Sequence, residues 1–437
     1  MSSDPCICYT SSVPTDSSVV RETRAKYVRA RAQIKLQLVA GEPVTPKPRP
    51  ATNLRTVGLF AGIGGLELGL AQAGHRSVLF CEIEPGARAV LAARFPNVEC
   101  ASDVTQLDAL PARTDLLVGG FPCQDLSQAG RTAGLAGKNS GLVSHVFRLI
   151  ERQRPRWLIL ENVSFMLSLA KGRAMAAILR QLEGFGYRWA YRVVDTRSFG
   201  LPQRRERVFI VASLDSDPRS VLFADDAGEE AVPVIGAGPS GYGFYWTEGI
   251  RGLGWGEDVV PTLKGGSTIG IASPPAIWFP GGAPEIVKPD IRDAERMQGF
   301  EPDWTKPAEA VTRKNHRWKL VGNAVTVNVA AWLGRRLADP GNYDERTDEP
   351  LGRGVRWPRA AYNVGSGVRE ASVSSWPLAV PRPRLQDFLR YEPVALSARG
   401  ASGFLERTSV STLRFKPEFL KAVRRHLKVV LRDEARG

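Results

Sequence analysis

The sequence predicts an α/β fold, a parallel sheet covered on both faces by helices and joined to a smaller loop-rich region. Three observations carry this. Short apolar runs alternate with helical patterns from Thr56 to about Ser213, the pattern that a parallel sheet with crossover helices requires. The first run, TVGLF, passes at once into a glycine-rich turn and then a helix. From Leu214 to Pro289 the alternation stops, and Gly, Pro and aromatic residues dominate.

Taken in order, residues 1–20 are rich in Ser and Thr and are expected to be disordered. Residues 21–39, RETRAKYVRARAQIKLQLV, read as a basic helix, and EPVTPKPRP at 42–50 as a Pro-rich linker. TVGLF, AGIGG and LELGLAQAG give the first strand, its turn and its helix. SVLFCE is a second strand and PGARAVLAARF its helix; DLLVGG and RWLILEN are further buried strands. HVFRLIERQ and AMAAILRQLEGFG are helices between and after them, and RVFIVAS is the last clear strand. Helical patterns return in RDAERMQGF and NAVTVNVAAWLGRRLA, and residues 404–434 read as one or two amphipathic helices. The expected organisation is an N-terminal extension (1–50), the first part of the main domain (51–213), an inserted loop-rich domain (214–290), a return segment (291–338) and a C-terminal extension with no assigned role (339–437).

The 437 residues carry a formal net charge of +14. An excess of this size favours a polyanionic partner, because each Lys or Arg that meets a phosphate releases a condensed counterion. The five cysteines, Cys6, Cys8, Cys81, Cys100 and Cys123, are odd in number and not spaced as a disulfide framework, which fits a reducing compartment. Cys6 and Cys8 lack a partner pair with zinc-site spacing, so no metal is expected. No apolar run approaches the roughly 20 residues of a membrane span. The N-terminus lacks a signal-peptide pattern, so a cytoplasmic protein is expected.

The candidate site residues stand at strand ends, where open parallel sheets bind ligands. Phe60-Ala61-Gly62-Ile63-Gly64-Gly65 turns from strand to helix, and Glu82 ends the next strand. Such a pair suits an adenosine-containing cofactor: glycines admit the ligand to the backbone, and the acid accepts ribose hydroxyls. Gly119-Gly120-Phe121-Pro122-Cys123-Gln124 follows a further strand. A lone cysteine is usually a small core hydrophobe, but Pro122 and the polar residues after Cys123 argue for an accessible nucleophile. Glu161 closes the RWLIL run one strand later, placed for acid work. The cluster at Arg204, Arg205 and Arg207 opens the last strand, where it can hold phosphate or a base edge.

Together these blocks resemble the DNA cytosine-5 methyltransferase family. LFAGIGGLELG, FCEIEP, DVT, GGFPCQDLS, ENV, QRRERVFIV, RDAERMQGF and KLVGNAVTVNV stand in the family's usual order, over roughly residues 55–337. The resemblance implies a Rossmann-like methyltransferase fold with S-adenosylmethionine as cofactor, and a target-recognition domain at 214–290. It implies Cys123 as nucleophile on C6 of a flipped-out cytosine and Glu161 as the partner of N3 and the exocyclic amine. Arg207, with Arg205, would orient base and cysteine. Phe60, Gly62, Gly64, Glu82, Ile83, Asp103, Pro122 and Asn323 would line the cofactor site. Gln124 and Ser127, with the Thr262-Leu263 pair of PTLKGG, would contact DNA. Double-stranded DNA is the implied partner, a cognate restriction endonuclease the implied companion, and a monomer the implied state. The sequence departs from the family at Ile83, often aromatic, and at Glu84, often Asp. An RNA cytosine-5 methyltransferase and a non-catalytic DNA-binding regulator are the rival readings. The sizeable variable domain speaks against the first, and the intact Cys123, Glu161 and Arg207 against the second.

Overall fold

The alternating register of the apolar strands decides the architecture. In the strand Leu116–Gly120, Leu117 faces one side of the sheet and Leu116 and Val118 the other; Leu158 and Ile159 divide likewise in Trp157–Val163. Both faces are apolar, so both must be covered. The computed structural model describes residues 53–121, 141–229, 232–265, 274–352 and 354–436.

Ten strands form the main sheet. They are β1 (Arg55–Leu59), β2 (Arg76–Cys81), β3 (Glu99–Ala101), β4 (Leu116–Gly120), β5 (Trp157–Val163), β6 (Arg188–Asp195), β7 (Glu206–Ser213), β8 (Glu349–Pro350), β9 (Ala360–Asn363) and β10 (Arg369–Glu370). Their spatial order is β8–β10–β9–β6–β7–β5–β4–β1–β2–β3. The run from β3 to β5 is parallel, but β7 lies antiparallel to both β5 and β6. The expected parallel sheet is therefore corrected to a mixed one. Strand β6, RWAYRVVD, was not expected either. It carries Arg192 with no solvent exposure, held by the carbonyls of Leu222, Asp225 and Ser374 and by Asp226.

One face is covered by α3 (Leu142–Gln153) and α4 (Arg173–Gly184). The other is covered by α1 (Gly65–Gln72) and α7 (Val327–Ala338), reached after α2 (Pro85–Arg94), α5 (Ile291–Met297) and α6 (Arg317–Asn323). Helices α1 and α7 cross very closely: a Cβ added at Gly69 would sit 2.5 Å from that of Ala330, so only glycine fits.

Segment 242–288 is less irregular than its composition suggests. Strands 242–244, 256–257, 276–278 and 286–288 form an antiparallel five-stranded sheet whose fifth member is 394–395. Its aromatic residues are largely core. Phe244 has no exposure and packs on Phe404 and Phe419, from α8 (Ala398–Ser409) and α9 (Pro417–Glu434). The C-terminal segment, unassigned in the sequence, thus supplies strands to both sheets. No helix among the described residues is long and apolar enough to cross a membrane.

Candidate active site

Strand ends along the carboxyl edge of the main sheet build the candidate site. After β1 the chain turns through Phe60, Gly62 and Gly64, all with positive φ, before α1 begins. The Gly62 N–H donates to Oε2 of Glu82 (2.8 Å), and the Glu84 N–H donates to Oε1 (2.8 Å). Each carboxylate oxygen thus holds one backbone donor and keeps a lone pair for a further one. No described residue comes within 4 Å of where a Cβ on Gly62 would be, so among the described residues the crook is open above the turn. A carboxylate with spare acceptors beside an open glycine turn fits the ribose of an adenosine cofactor. Ile83 beside it is 67% exposed. The crook is braced from the return segment: Trp304 donates to the Ile63 carbonyl (2.8 Å), and His316 meets Glu84 (2.9 Å).

Asp103, half-buried, accepts from the Thr105 N–H, which holds its carboxyl below the usual range. Asn323, at the end of α6, is exposed, and its side chain lies against Gly265. Beneath the turn, Glu67 is buried with no hydrogen-bond partner among the described residues. Burial pushes its pKa up to about 8.

Glu161, near the end of β5, pairs in register with Gly120 of β4. A Cβ on Gly120 would lie 3.0 Å from Oε2 of Glu161, so the carboxylate leans over the strand end that leads to Cys123. Arg207 Nε meets Oε1 of Glu161 at 3.1 Å, both side chains being largely buried. Burial raises the Glu161 pKa, against the opposing pull of Arg207 and Arg205. Asn162, not singled out in the sequence, donates to the Phe121 carbonyl (2.9 Å) and fixes where the loop leaves the sheet. Pro122, Cys123, Gln124 and Ser127 lie outside the described residues, as do residues 1–52 with Cys6 and Cys8. Of the described cysteines, Cys81 is pushed up to about 12 and Cys100 upward, each chiefly by burial, so neither is a ready thiolate.

A chain of contacts leads outward from this pair. Arg207 Nη1 donates to the Glu206 carbonyl (2.8 Å), and the Glu206 carboxylate is paired with Arg359 (2.7 Å), which also donates to Ser375 (2.9 Å). Arg359 comes from the C-terminal segment and nothing in its local sequence marks it.

Two of the expected site residues also serve the backbone. Arg205, 1% exposed, donates through Nη1 to the carbonyls of Leu263 (3.3 Å) and Gly322 (3.1 Å) and through Nη2 to that of Ala324 (2.6 Å). It fastens these backbone segments together. Leu263, 2% exposed, packs among Leu201, Val260 and Met297. The Thr262 hydroxyl donates to the Arg204 carbonyl (2.7 Å). PTLKG, residues 261–265, threads back against the main domain, with Gln203 accepting from the Leu263 N–H (3.0 Å).

Comparisons with known proteins bear on this geometry. Residues 54–232 match the family described as C-5 cytosine-specific DNA methylase. The chain is 44% identical over 385 residues to the type II methyltransferase M2.BsuMI of Bacillus subtilis, covering 85% of this chain and 98% of that protein. It is 31% identical over 306 residues to M.NlaX of Neisseria lactamica, covering 65% of this chain and 96% of that one. Among solved structures it is similar to the Dnmt2 methyltransferase of S. pombe, at 15% identity and a TM-score of 0.48, over 64% of this chain and 97% of that chain.

Proposed function

Since the chain belongs to the C-5 cytosine-specific DNA methylase family, we propose that it methylates one cytosine of a specific duplex sequence through a bond from Cys123 to C6 of a flipped-out base. It is a DNA cytosine-5 methyltransferase of the type II restriction–modification kind, with S-adenosylmethionine as methyl donor. The observation that carries the finer reading is the Glu161–Arg207 pair leaning over Gly120, at the strand end that runs into Phe121, Pro122 and Cys123.

Cytosine C5 is a poor nucleophile. Addition of the Cys123 thiolate to C6 forms a C–S bond and turns C4–C5–C6 into an enamine, which raises the electron density on C5. Glu161 is suited to the base edge. Its carboxyl group can share a proton with N3 as the adduct's charge develops, and an oxygen can accept from the exocyclic amine. Arg207 holds Glu161 in place and adds positive charge near the incoming thiol. Glu82 and the backbone at Phe60, Gly62 and Gly64 would hold the cofactor, with Asp103, Pro122 and Asn323 around them. When bound, S-adenosylmethionine supplies the methyl group for C5. Loss of the C5 proton to water, with the N3 proton returned to Glu161, then restores the C5–C6 double bond and expels Cys123 as thiolate. Turning the base out of the duplex costs a few kcal/mol, and contacts from segment 214–290 would offset this while reading the flanking sequence. In this reading the protein works in a bacterial cytoplasm, as a monomer beside a cognate endonuclease.

A duplex with 5-fluorocytosine at the target position tests the covalent step, because fluorine cannot leave as a cation. The wild type should form an adduct that survives denaturation and needs S-adenosylmethionine to accumulate. Cys123→Ser should form none while still binding DNA, since an alcohol is far less ionised than a thiol. Equal trapping by Cys123→Ser would assign the nucleophile to another residue.

A further inference from the structure

We infer that a hollow between the turn after β5 and the segment 356–359 is a second DNA contact, taking one nucleotide of the strand that flanks the target cytosine. This rests on the DNA reading above. The hollow has a volume of about 700 Å³; Ser164 and Phe165 line one side, and Arg356, Trp357, Arg359 and Glu370 line the other. That volume is in the range that holds a molecule of nucleotide size.

Its position is the first argument. Ser164 directly follows Val163, the last residue of β5, and Val163 pairs with Arg207 across to β7. The hollow therefore opens on the same carboxyl edge as Glu161, within a few residues of it along the chain. A duplex seated there for chemistry on one base runs past it.

The chemistry of the walls is the second. Phe165 is 62% exposed, while most other aromatic rings among the described residues are packed. Facing it is a wall held in advance. The Trp357 indole donates to the Gly172 carbonyl (3.0 Å), and its ring sits edge-on to Trp189 and Tyr191. The Tyr191 hydroxyl donates to the Pro358 carbonyl (3.0 Å), and the Val193 N–H to that of Arg359 (2.8 Å). Arg359 is already paired with Glu206, and Glu370 brings a negative charge. Arg356 is exposed and has no ion pair with another described residue. One uncommitted guanidinium and one open ring face are too little to track a long stretch of duplex. They suit a single phosphate together with one base or sugar face, as in stacking sites for unpaired nucleotides.

The test uses the full chain and a duplex containing the sequence it marks, with DNA affinity measured over a range of salt concentrations. Phe165→Ala should weaken binding about tenfold with no change in salt slope, and Phe165→Trp should restore it. Arg356→Ala should weaken binding and lower the salt slope by about one. S-adenosylmethionine affinity, measured on the same preparations, should match the wild type in all three. Wild-type methylation of the same duplex reports on the DNA reading itself, so a loss confined to the variants is distinct from a failure of that reading. DNA affinity and salt slope equal to wild type in both Phe165→Ala and Arg356→Ala would overturn the proposal.

Discussion

Gly62 and Glu82 meet across 20 residues of chain, through one backbone N–H and one carboxylate. Phe244 and Phe419 meet from opposite sides of the return segment, through ring contacts 4.9 Å apart. The crook is a local device: strand, turn, helix and strand follow in order, and its chemistry is written where it acts. The aromatic sheet is a distant assembly. Its strands are two or three residues long and owe their existence to helices at the far end of the chain. A local device should survive damage to the other region, and a distant assembly should fail as a whole.

The strongest test of that contrast is Phe419→Ala. Phe419 is fully buried and touches Phe244, Trp255, Trp278 and Phe404. Its loss should cost about 3–5 kcal/mol in the region it packs. Thermal unfolding should then show an early transition, with DNA methylation lost and S-adenosylmethionine affinity retained. Loss of cofactor binding in step would mean that the two regions are one cooperative unit. Glu82→Ala probes the other side. Removing a charged acceptor should weaken cofactor binding by about 1.5–3 kcal/mol, read by calorimetry, with thermal stability little changed. Unchanged affinity would take the carboxylate out of the cofactor site.

The smallest effect is expected at the link between the regions' shared C-terminal segment and the active site. Arg359→Ala removes the partner of Glu206, whose carbonyl holds Arg207. The pair is roughly half exposed, so its contribution is about 0.2–1 kcal/mol. It should appear as a few-fold drop in kcat with KM for DNA unchanged, and Arg359→Lys should recover most of it. A drop in stability without the kcat effect would reduce Arg359 to an ordinary surface pair.

This contrast also explains what the sequence revealed. The turn at Gly62–Gly64, Glu82, Glu161 and the start of β7 at Glu206–Arg207 were legible because each marks its own strand end. Strand β6 was not, because Arg192 breaks its apolar run and the groups that neutralise it come from segments near 225 and 374. The direction of β7 is set by the connection before it, which leaves no periodic trace. The buried contacts of Arg205 and Leu263 were not legible either, because the folding of PTLKG back on Gly322 is a contact between distant segments. A Cβ on Gly322 would meet the Lys264 carbonyl oxygen at 2.4 Å, and a lone glycine in LVGNAV gives no hint of that neighbour.

The seam at Arg205 sets a mechanical limit on the enzyme. One buried guanidinium ties the PTLKG backbone to the α6–α7 junction through three carbonyls, and Gly322 lets the two backbones touch. Parting them would strand a charge in the interior, at a cost of several kcal/mol. The two backbone segments that Arg205 joins therefore share a fixed fulcrum. If a duplex is seated across this seam, the strain should fall on the DNA, and duplexes that bend or unstack readily next to the target cytosine should be methylated faster than stiff ones of the same target sequence.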